Sequence, residues 1–140
     1  DEQALDRWIA AIEAKGYVGV DTESDSLDTM QANIVGVSLS VETGHACYIP
    51  VAHVGQGDGR FESGLIEGQL SRETVLRKLK PLLEAPHILK IGQNLKYDML
   101  ALAQQGLRVR VLASERERKG VRLIFPLSRT SATRECGKLT

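Results

Sequence analysis

Two apolar runs joined by a short polar turn constrain the fold of this chain more than any other feature. Residues 34–41 are rich in β-branched side chains and predict a strand. Residues 42–45 (Glu-Thr-Gly-His) predict a hairpin turn, and residues 46–51 predict the return strand, which has Pro50 near its end. A third short run, residues 17–20, precedes them. Three strands joined by short turns predict an antiparallel meander.

Helical patterns surround this meander. Residues 4–15 place apolar side chains at helical spacing, and Gly16 ends the run. Ser71 is a suitable N-cap for a second helix, which Pro86 closes. Pro81 lies inside that helix, where a kink is possible. Its predicted buried stripe consists of Val75, Leu76, Leu79, Leu82 and Leu83.

A final strand and helix complete the predicted order. Residues 87–92 predict a short strand, and Asn94 or Lys96 opens a helix that runs through Gln105 and is capped by Gly106. The order α-β-β-β-α-β-α predicts an α/β protein, in which an antiparallel meander and a helix–strand–helix unit form a mixed sheet covered by helices.

Composition excludes several classes of protein. Hydrophobic residues make up 42% and charged residues 26% of the 140, as in ordinary globular domains. No apolar run approaches the roughly 20 residues of a membrane span, and the acidic start is unlike a signal peptide. We therefore expect a cytoplasmic protein with no membrane partner. Because the chain lacks an initiator Met, we also expect it to be a fragment or a processed piece.

Neither the cysteines nor the glycines form a recognisable motif. Cys47 and Cys136 are too few and too far apart for a metal knuckle, and we expect two reduced thiols with no disulfide between them. Residues 55–70 contain five glycines but no Gly-Lys-Ser/Thr ending, so they predict a flexible loop and not a phosphate cradle. His45, His53 and His87 are dispersed, and a structural role is expected for His53.

Asp21-Thr22-Glu23 follows the first short strand. If the backbone is extended there, Asp21 and Glu23 point to one face, where the two negative charges repel. A hard divalent cation such as Mg²⁺ would cancel that repulsion. The alternative is that both are exposed acids of a polar turn, which also holds Asp25 and Asp28.

A second acid lies at the start of the last predicted helix, in Gln93-Asn94-Leu95-Lys96-Tyr97-Asp98. Ligands of open α/β sheets gather where strand ends meet helix starts, so Asp98 is expected to face the Asp21 and Glu23 pair. The alternative is a first-turn acid that is favoured by the helix dipole.

These runs resemble a known family. GVDTESDSL (residues 19–27), IVGVSLSVETGHACYIPVAH (residues 34–53) and KIGQNLKYDMLAL (residues 90–102) together resemble the 3′–5′ proofreading exonuclease domain of bacterial DNA polymerase I. That domain belongs to the DEDD exonucleases, which have an RNase H-like fold. The resemblance covers roughly residues 1–110 and implies a bacterial, cytoplasmic enzyme that shortens DNA from its 3′ end, beside a polymerase domain.

The resemblance also implies the site. Asp21, Glu23 and Asp98 match the catalytic, metal-binding acids, which would hold two divalent ions, Mg²⁺ or Mn²⁺. One ion would lower the pKa of the attacking water, and the other would stabilise the departing 3′ oxygen. The product would be a nucleoside 5′-monophosphate. The positions that match the slot for the single-stranded 3′ end are Thr22, Leu27, Gln93, Asn94 and Tyr97.

The match fails towards the C-terminus. The family has a third motif, a Tyr followed four residues later by an Asp, but no Tyr follows Tyr97 and no Asp follows Asp98. Residues 111–140 carry seven Lys/Arg against three Asp/Glu. We expect them to be a non-family tail, out of frame or disordered. The sheet that precedes this tail is expected to be incomplete. Two alternatives therefore stay open: an inactive exonuclease-like nucleic-acid-binding or scaffold domain, and an RNA-trimming exonuclease of the same group.

Overall fold

A computed structural model describes residues 1–55 and 66–111 of the chain. The predicted tail, apart from Val111, therefore lies outside the described residues, as do Cys136 and the middle of the glycine-rich stretch. The elements are α1 (Glu2–Lys15), β1 (Tyr17–Ser24), β2 (Ile34–Glu42), β3 (His45–Pro50), α2 (Arg72–Glu84), β4 (Leu89–Ile91) and α3 (Leu95–Gln104).

The four described strands form one mixed sheet in the order β3-β2-β1-β4. β1 pairs with β2, and β2 with β3, in antiparallel fashion, which confirms the predicted meander. β4 pairs with β1 in parallel, because the chain crosses over through α2 before it returns to the sheet. The predicted mixed α/β architecture is confirmed for the described part of the chain.

The helix ends follow from local capping. Asp1 accepts a hydrogen bond from the backbone N of Ala4, so α1 begins two residues before its predicted start. Gly16 ends α1 in the left-handed region, at φ 76°. Ser71 caps α2 by accepting a hydrogen bond from the backbone N of Thr74, as predicted. α2 continues through Pro81 to Glu84.

Two strands differ in length from their predictions. β1 runs on to Ser24 and so includes the two acids, which were predicted to follow the strand. β4 is limited to Leu89–Ile91, whereas residues 87–92 were predicted. The β1–β4 ladder has three pairs and ends at Gly19 and Ile91. β1 therefore extends beyond the end of β4, and this overhang is where the acids lie.

The two faces of the sheet differ in chemistry. One face packs with the buried stripes of α1 and α2 into a single core, which includes Val18, Val20, Val37 and Leu39. The five apolar positions predicted for α2 are all buried in this core. The opposite face carries exposed acids on β1 and half-buried serines on β2. None of the helices in the described part of the chain is long and apolar enough to cross a lipid bilayer.

Candidate active site

Asp21 and Glu23 lie on the polar face of β1. Both side chains are exposed, whereas Thr22 between them is buried on the core side, at 8% exposure. The register with β2 is continuous here, since Asp21 pairs with Ser38 and Glu23 with Gly36. The backbone is therefore extended, and the prediction that the two acids share one face is confirmed.

Asp98 joins α3 to the overhang of β1. Its side chain is buried, at 2% exposure. Oδ1 accepts a hydrogen bond from the backbone N of Thr22 at 2.8 Å and another from Thr22 Oγ1 at 2.6 Å. Because β4 has already ended, this N–H has no strand partner on that side, and the carboxylate takes the place of one. Asp98 is thus fixed on the residue between the two exposed acids.

The buried carboxyl of Asp98 is electrostatically costly. Burial raises its pKa above the ordinary value, and the charge of Asp21 raises the pKa further. The two hydrogen bonds from Thr22 act in the opposite direction, because they stabilise the ionised form. Asp98 was expected to face the acid pair, and the negative charge of Asp21 is close enough to raise the pKa of Asp98.

The pKa of Asp21 is raised for the same two reasons as that of Asp98. Burial raises the pKa of Asp21 first, and the neighbouring Glu23 raises it further. Within residues 1–55 and 66–111, no Lys or Arg pairs with Asp21, Glu23 or Asp98. Uncompensated carboxylate oxygens are the donors that Mg²⁺ and Mn²⁺ prefer, so the donor set fits a divalent cation. However, the described side chains contain no preformed group of three or more metal-binding residues.

The loop after β1 presents an apolar side chain to solvent. Leu27 is 95% exposed at its tip. Tyr97, on α3, holds the base of the loop: its hydroxyl shares a hydrogen bond with Ser24 Oγ and donates one to the carbonyl of Ser26. Of the residues predicted to line the slot, Leu27 is therefore fully available, while the Tyr97 hydroxyl is engaged within the protein.

A second set of contacts closes the neck of this loop. Asp25 accepts hydrogen bonds from the backbone N of Asn33 at 2.8 Å and from Asn33 Nδ2 at 3.0 Å. These bonds hold the pKa of Asp25 below its usual range. Arg72, at the start of α2, donates to Asn33 Oδ1 at 3.3 Å. The position of Leu27 is thus set by contacts to two helices.

Gln93 and Asn94 lie in the turn between β4 and α3, and both are exposed. Asn94 adopts the left-handed conformation, at φ 54°, and its side chain makes no capping hydrogen bond. Gly92 comes so close to β1 that an added Cβ would lie 2.7 Å from the carbonyl oxygen of Val20. The turn is therefore pressed against β1, just before the acids. Thr22, also predicted for the slot, has its hydroxyl committed to Asp98.

Tyr48, which the sequence analysis did not single out, lies on the same polar face, and His53, for which a structural role was expected, contacts it. Tyr48, on β3, reaches over Gly36, and its hydroxyl is 2.6 Å from Nε2 of His53. Gly36 is the register partner of Glu23. A glycine on one strand of a predicted hairpin, nearly opposite an aromatic residue on the other, was the available signal for this contact.

Sequence comparison places this chain among known proteins. The profile of a family described as 3′–5′ exonuclease matches residues 1–119. The chain is 44% identical over 103 residues to a DNA polymerase I of Pseudomonas aeruginosa, and 42% identical over 119 residues to one of Rhizobium leguminosarum. These matches cover 74% and 79% of this chain, but 10% and 12% of the two relatives. A DNA polymerase I of Borreliella burgdorferi is 31% identical over 103 residues, which are 73% of this chain and 10% of that relative.

Proposed function

The chain belongs to the 3′–5′ exonuclease family, and from this we propose that it removes nucleotides from single-stranded DNA 3′ ends by metal-assisted phosphodiester hydrolysis. The observation that supports this most directly is the pair Asp21 and Glu23, exposed on one face, with Asp98 fixed on the residue between them. The chain spans about a tenth of the polymerases that it matches, so a polymerase domain as partner and a proofreading role are parts of the proposal.

The acids would hold the cations. Asp21, Glu23 and Asp98 are the residues that would bind two divalent ions, Mg²⁺ or Mn²⁺. When bound, such ions activate a water molecule and stabilise the negative charge on the leaving 3′ oxygen. The protein holds the acids in place beforehand, because Thr22 anchors Asp98 and the β1–β2 ladder fixes the direction of the other two.

The loop would position the terminal nucleotide. Leu27 offers an apolar surface on which a base can pack, as side chains of single-strand-binding proteins do. Its fixed position, through Tyr97 and the Asp25–Asn33 neck, limits the places that the base can occupy. Gln93 and Asn94 are exposed near the acids, where amide groups can donate to phosphate or sugar oxygens.

The second candidate is an inactive exonuclease-like domain that binds nucleic acid or serves as a scaffold. It is favoured by one observation: the described residues hold no ready group of three metal ligands. An RNA-trimming activity would be recognised by a preference for ribose in the substrate. The acids themselves act on the phosphate and do not select deoxyribose.

The test is hydrolysis of a single-stranded DNA oligonucleotide that is labelled on its 3′ nucleotide, with Mg²⁺ or Mn²⁺ and with EDTA. We expect metal-dependent release of labelled mononucleotide, and a loss of release to the EDTA level in Asp21→Ala and Glu23→Gln. Glu13→Gln, an exposed acid on α1, is the matched control and should keep the full rate.

Other outcomes separate the candidates. A folded chain that binds the oligonucleotide but releases nothing with either metal supports the inactive domain. Release from an RNA oligonucleotide at a higher rate than from DNA of the same sequence supports the RNA-trimming enzyme. Equal release by the unaltered chain and by Asp21→Ala would exclude the proposed site.

A further inference from the structure

Tyr48 occupies a slot that a side chain at position 36 would fill. An ideal Cβ built on Gly36 would lie 1.9 Å from the Tyr48 hydroxyl oxygen and 2.3 Å from Cζ. The hydroxyl end of the phenol ring therefore lies over Gly36 on β2, although the register partner of Tyr48 is Ser38, two residues further along. The absence of a side chain at Gly36 is what allows the ring to lean along the strand.

This leaning places the hydroxyl on the face of the sheet that carries the acid pair. Gly36 pairs with Glu23 in the β1–β2 ladder, and paired residues share a face of the sheet. The Tyr48 hydroxyl above Gly36 is thus on the same side as the Glu23 carboxylate, one strand away. Consistent with this position, burial raises the pKa of Tyr48, and the negative charge of Glu23 raises it further.

His53 holds the hydroxyl from its other side. Its Nε2 is 2.6 Å from the Tyr48 oxygen, and the two rings meet edge to face, with centroids 5.5 Å apart. Gln69 clamps the backbone of His53: Oε1 accepts from its N–H at 2.8 Å, and Nε2 donates to its carbonyl at 2.8 Å. The backbone that carries the imidazole is therefore fixed by two hydrogen bonds. This fixes the position of the His53 side chain relative to Tyr48 more closely than a free loop would.

The direction of the hydrogen bond between Tyr48 and His53 decides whether the Tyr48 hydroxyl can donate to another group. If the phenol donates to His53, only the lone pairs of its oxygen remain for other partners, and their partial negative charge is repelled by the Glu23 carboxylate. If His53 Nε2–H donates to the phenol oxygen, the phenol hydrogen is free to point towards Glu23. The negative charge of Glu23 favours the second arrangement, in which His53 carries a hydrogen on Nε2.

We propose that Tyr48 is a positioning residue of the acidic site: held by Nε2–H of His53 over Gly36, it directs its hydroxyl hydrogen to Glu23 and orients that carboxylate for a divalent cation. The inference rests on the proposed function, because it assigns the residues that support the same acids. His53 and Gln69 then form the outer part of one chain of contacts that leads from the loop after β3 to Glu23. Mutation of outer residues of this kind commonly lowers metal affinity about ten- to hundredfold.

The test measures Mn²⁺ binding by the full chain, by electron paramagnetic resonance of the free ion, so that no turnover is needed. Tyr48→Phe keeps the ring and removes the hydroxyl, and we expect Mn²⁺ affinity to fall roughly ten- to hundredfold. Tyr17→Phe makes the same change on the polar side of β1 and should bind Mn²⁺ like the unaltered chain. Asp21→Ala reports whether the signal comes from the acidic site.

The outcomes are distinct. Unchanged Mn²⁺ affinity in Tyr48→Phe, with affinity lost in Asp21→Ala, overturns the positioning role and leaves the proposed function standing. Equal affinity in the unaltered chain and Asp21→Ala removes the proposed function, and the positioning role with it. A second measurement needs no variant: the ¹⁵N resonances of His53 should show hydrogen on Nε2, and a hydrogen on Nδ1 alone would overturn the proposal.

Discussion

Asp98 accepts two hydrogen bonds from Thr22, a residue 76 positions earlier in the chain, one from the backbone N and one from Oγ1. These bonds tie the first turn of α3 to the part of β1 that extends beyond β4. Because Thr22 stands between Asp21 and Glu23, a shift of α3 would move the third acid relative to the other two. One threonine therefore couples the packing of the fold to the geometry of the candidate site.

Removing the Thr22 hydroxyl should destabilise the fold. Thr22→Val keeps the β-branched shape but leaves the buried Asp98 carboxylate with one hydrogen bond fewer, so we expect a loss of about 1.5–3 kcal/mol in unfolding free energy. Urea unfolding in EDTA measures it. The control, Thr43→Val, changes an exposed threonine of the hairpin turn and should stay within about 0.5 kcal/mol. Equal losses in both variants would mean that the Asp98 contact contributes nothing specific.

Gly36→Ala should displace the Tyr48 ring, since the new Cβ and the phenol cannot share the same space. We expect a loss of about 1–3 kcal/mol in unfolding free energy, as for other overpacked sites. A double-mutant cycle with Tyr48→Ala measures the coupling by urea unfolding. In the Tyr48→Ala background, Gly36→Ala should lower the unfolding free energy by clearly less. If its cost is the same in both backgrounds, the ring is not what excludes a side chain at this position.

Gly92→Ala should destabilise the fold more than Gly19→Ala. At Gly92 the added Cβ would lie 2.7 Å from the backbone oxygen of Val20. Unlike a side chain, this backbone atom cannot rotate out of the way. At Gly19 the nearest atom is Cβ of Ser40, at 3.3 Å. We expect a loss of about 1–3 kcal/mol for Gly92→Ala and a smaller one for Gly19→Ala. Thermal unfolding ranks the two variants, and the reverse order would contradict the close approach.

Lys90 should make stability depend on alkaline pH. It is 2% exposed, and Nζ donates to the carbonyl of Ala85, while no acid among residues 1–55 and 66–111 forms an ion pair with it. Burial lowers the pKa of Lys90 below 10.5, so near that pH the folded state binds fewer protons than the unfolded chain. Its contribution to stability is therefore least favourable at low pH and improves as pH rises towards 10.5.

Lys90→Met isolates this effect from other titrating groups. The variant should be more stable than the unaltered chain at pH 7, because it buries no charge. The difference between the two unfolding free energies should shrink as pH approaches 10.5. Denaturant unfolding across this range provides the measurement. A difference that stays constant with pH would show that Lys90 has no depressed pKa in the folded state.

Local features of the fold were predictable from sequence. The stripe of α2 was predicted residue by residue, because a helix repeats every 3.6 residues and apolar side chains mark the buried side. The shared face of Asp21 and Glu23 was also predictable, since alternation in a strand depends only on neighbouring residues. The family followed from short motifs in the correct order, and the match over residues 1–119 confirms it.

The contacts that join distant segments were decided by the tertiary structure alone. Nothing in the sequence near Asp98 indicates that its carboxylate binds Thr22, because that bond exists only where β4 ends early and exposes the edge of β1. The lean of Tyr48 over Gly36 likewise depends on the register of two strands and on the loop that delivers His53. Sequence determined which chemical groups are present and which way each strand and helix faces. Packing determined which groups meet, since a contact between remote residues depends on the path of all the chain between them.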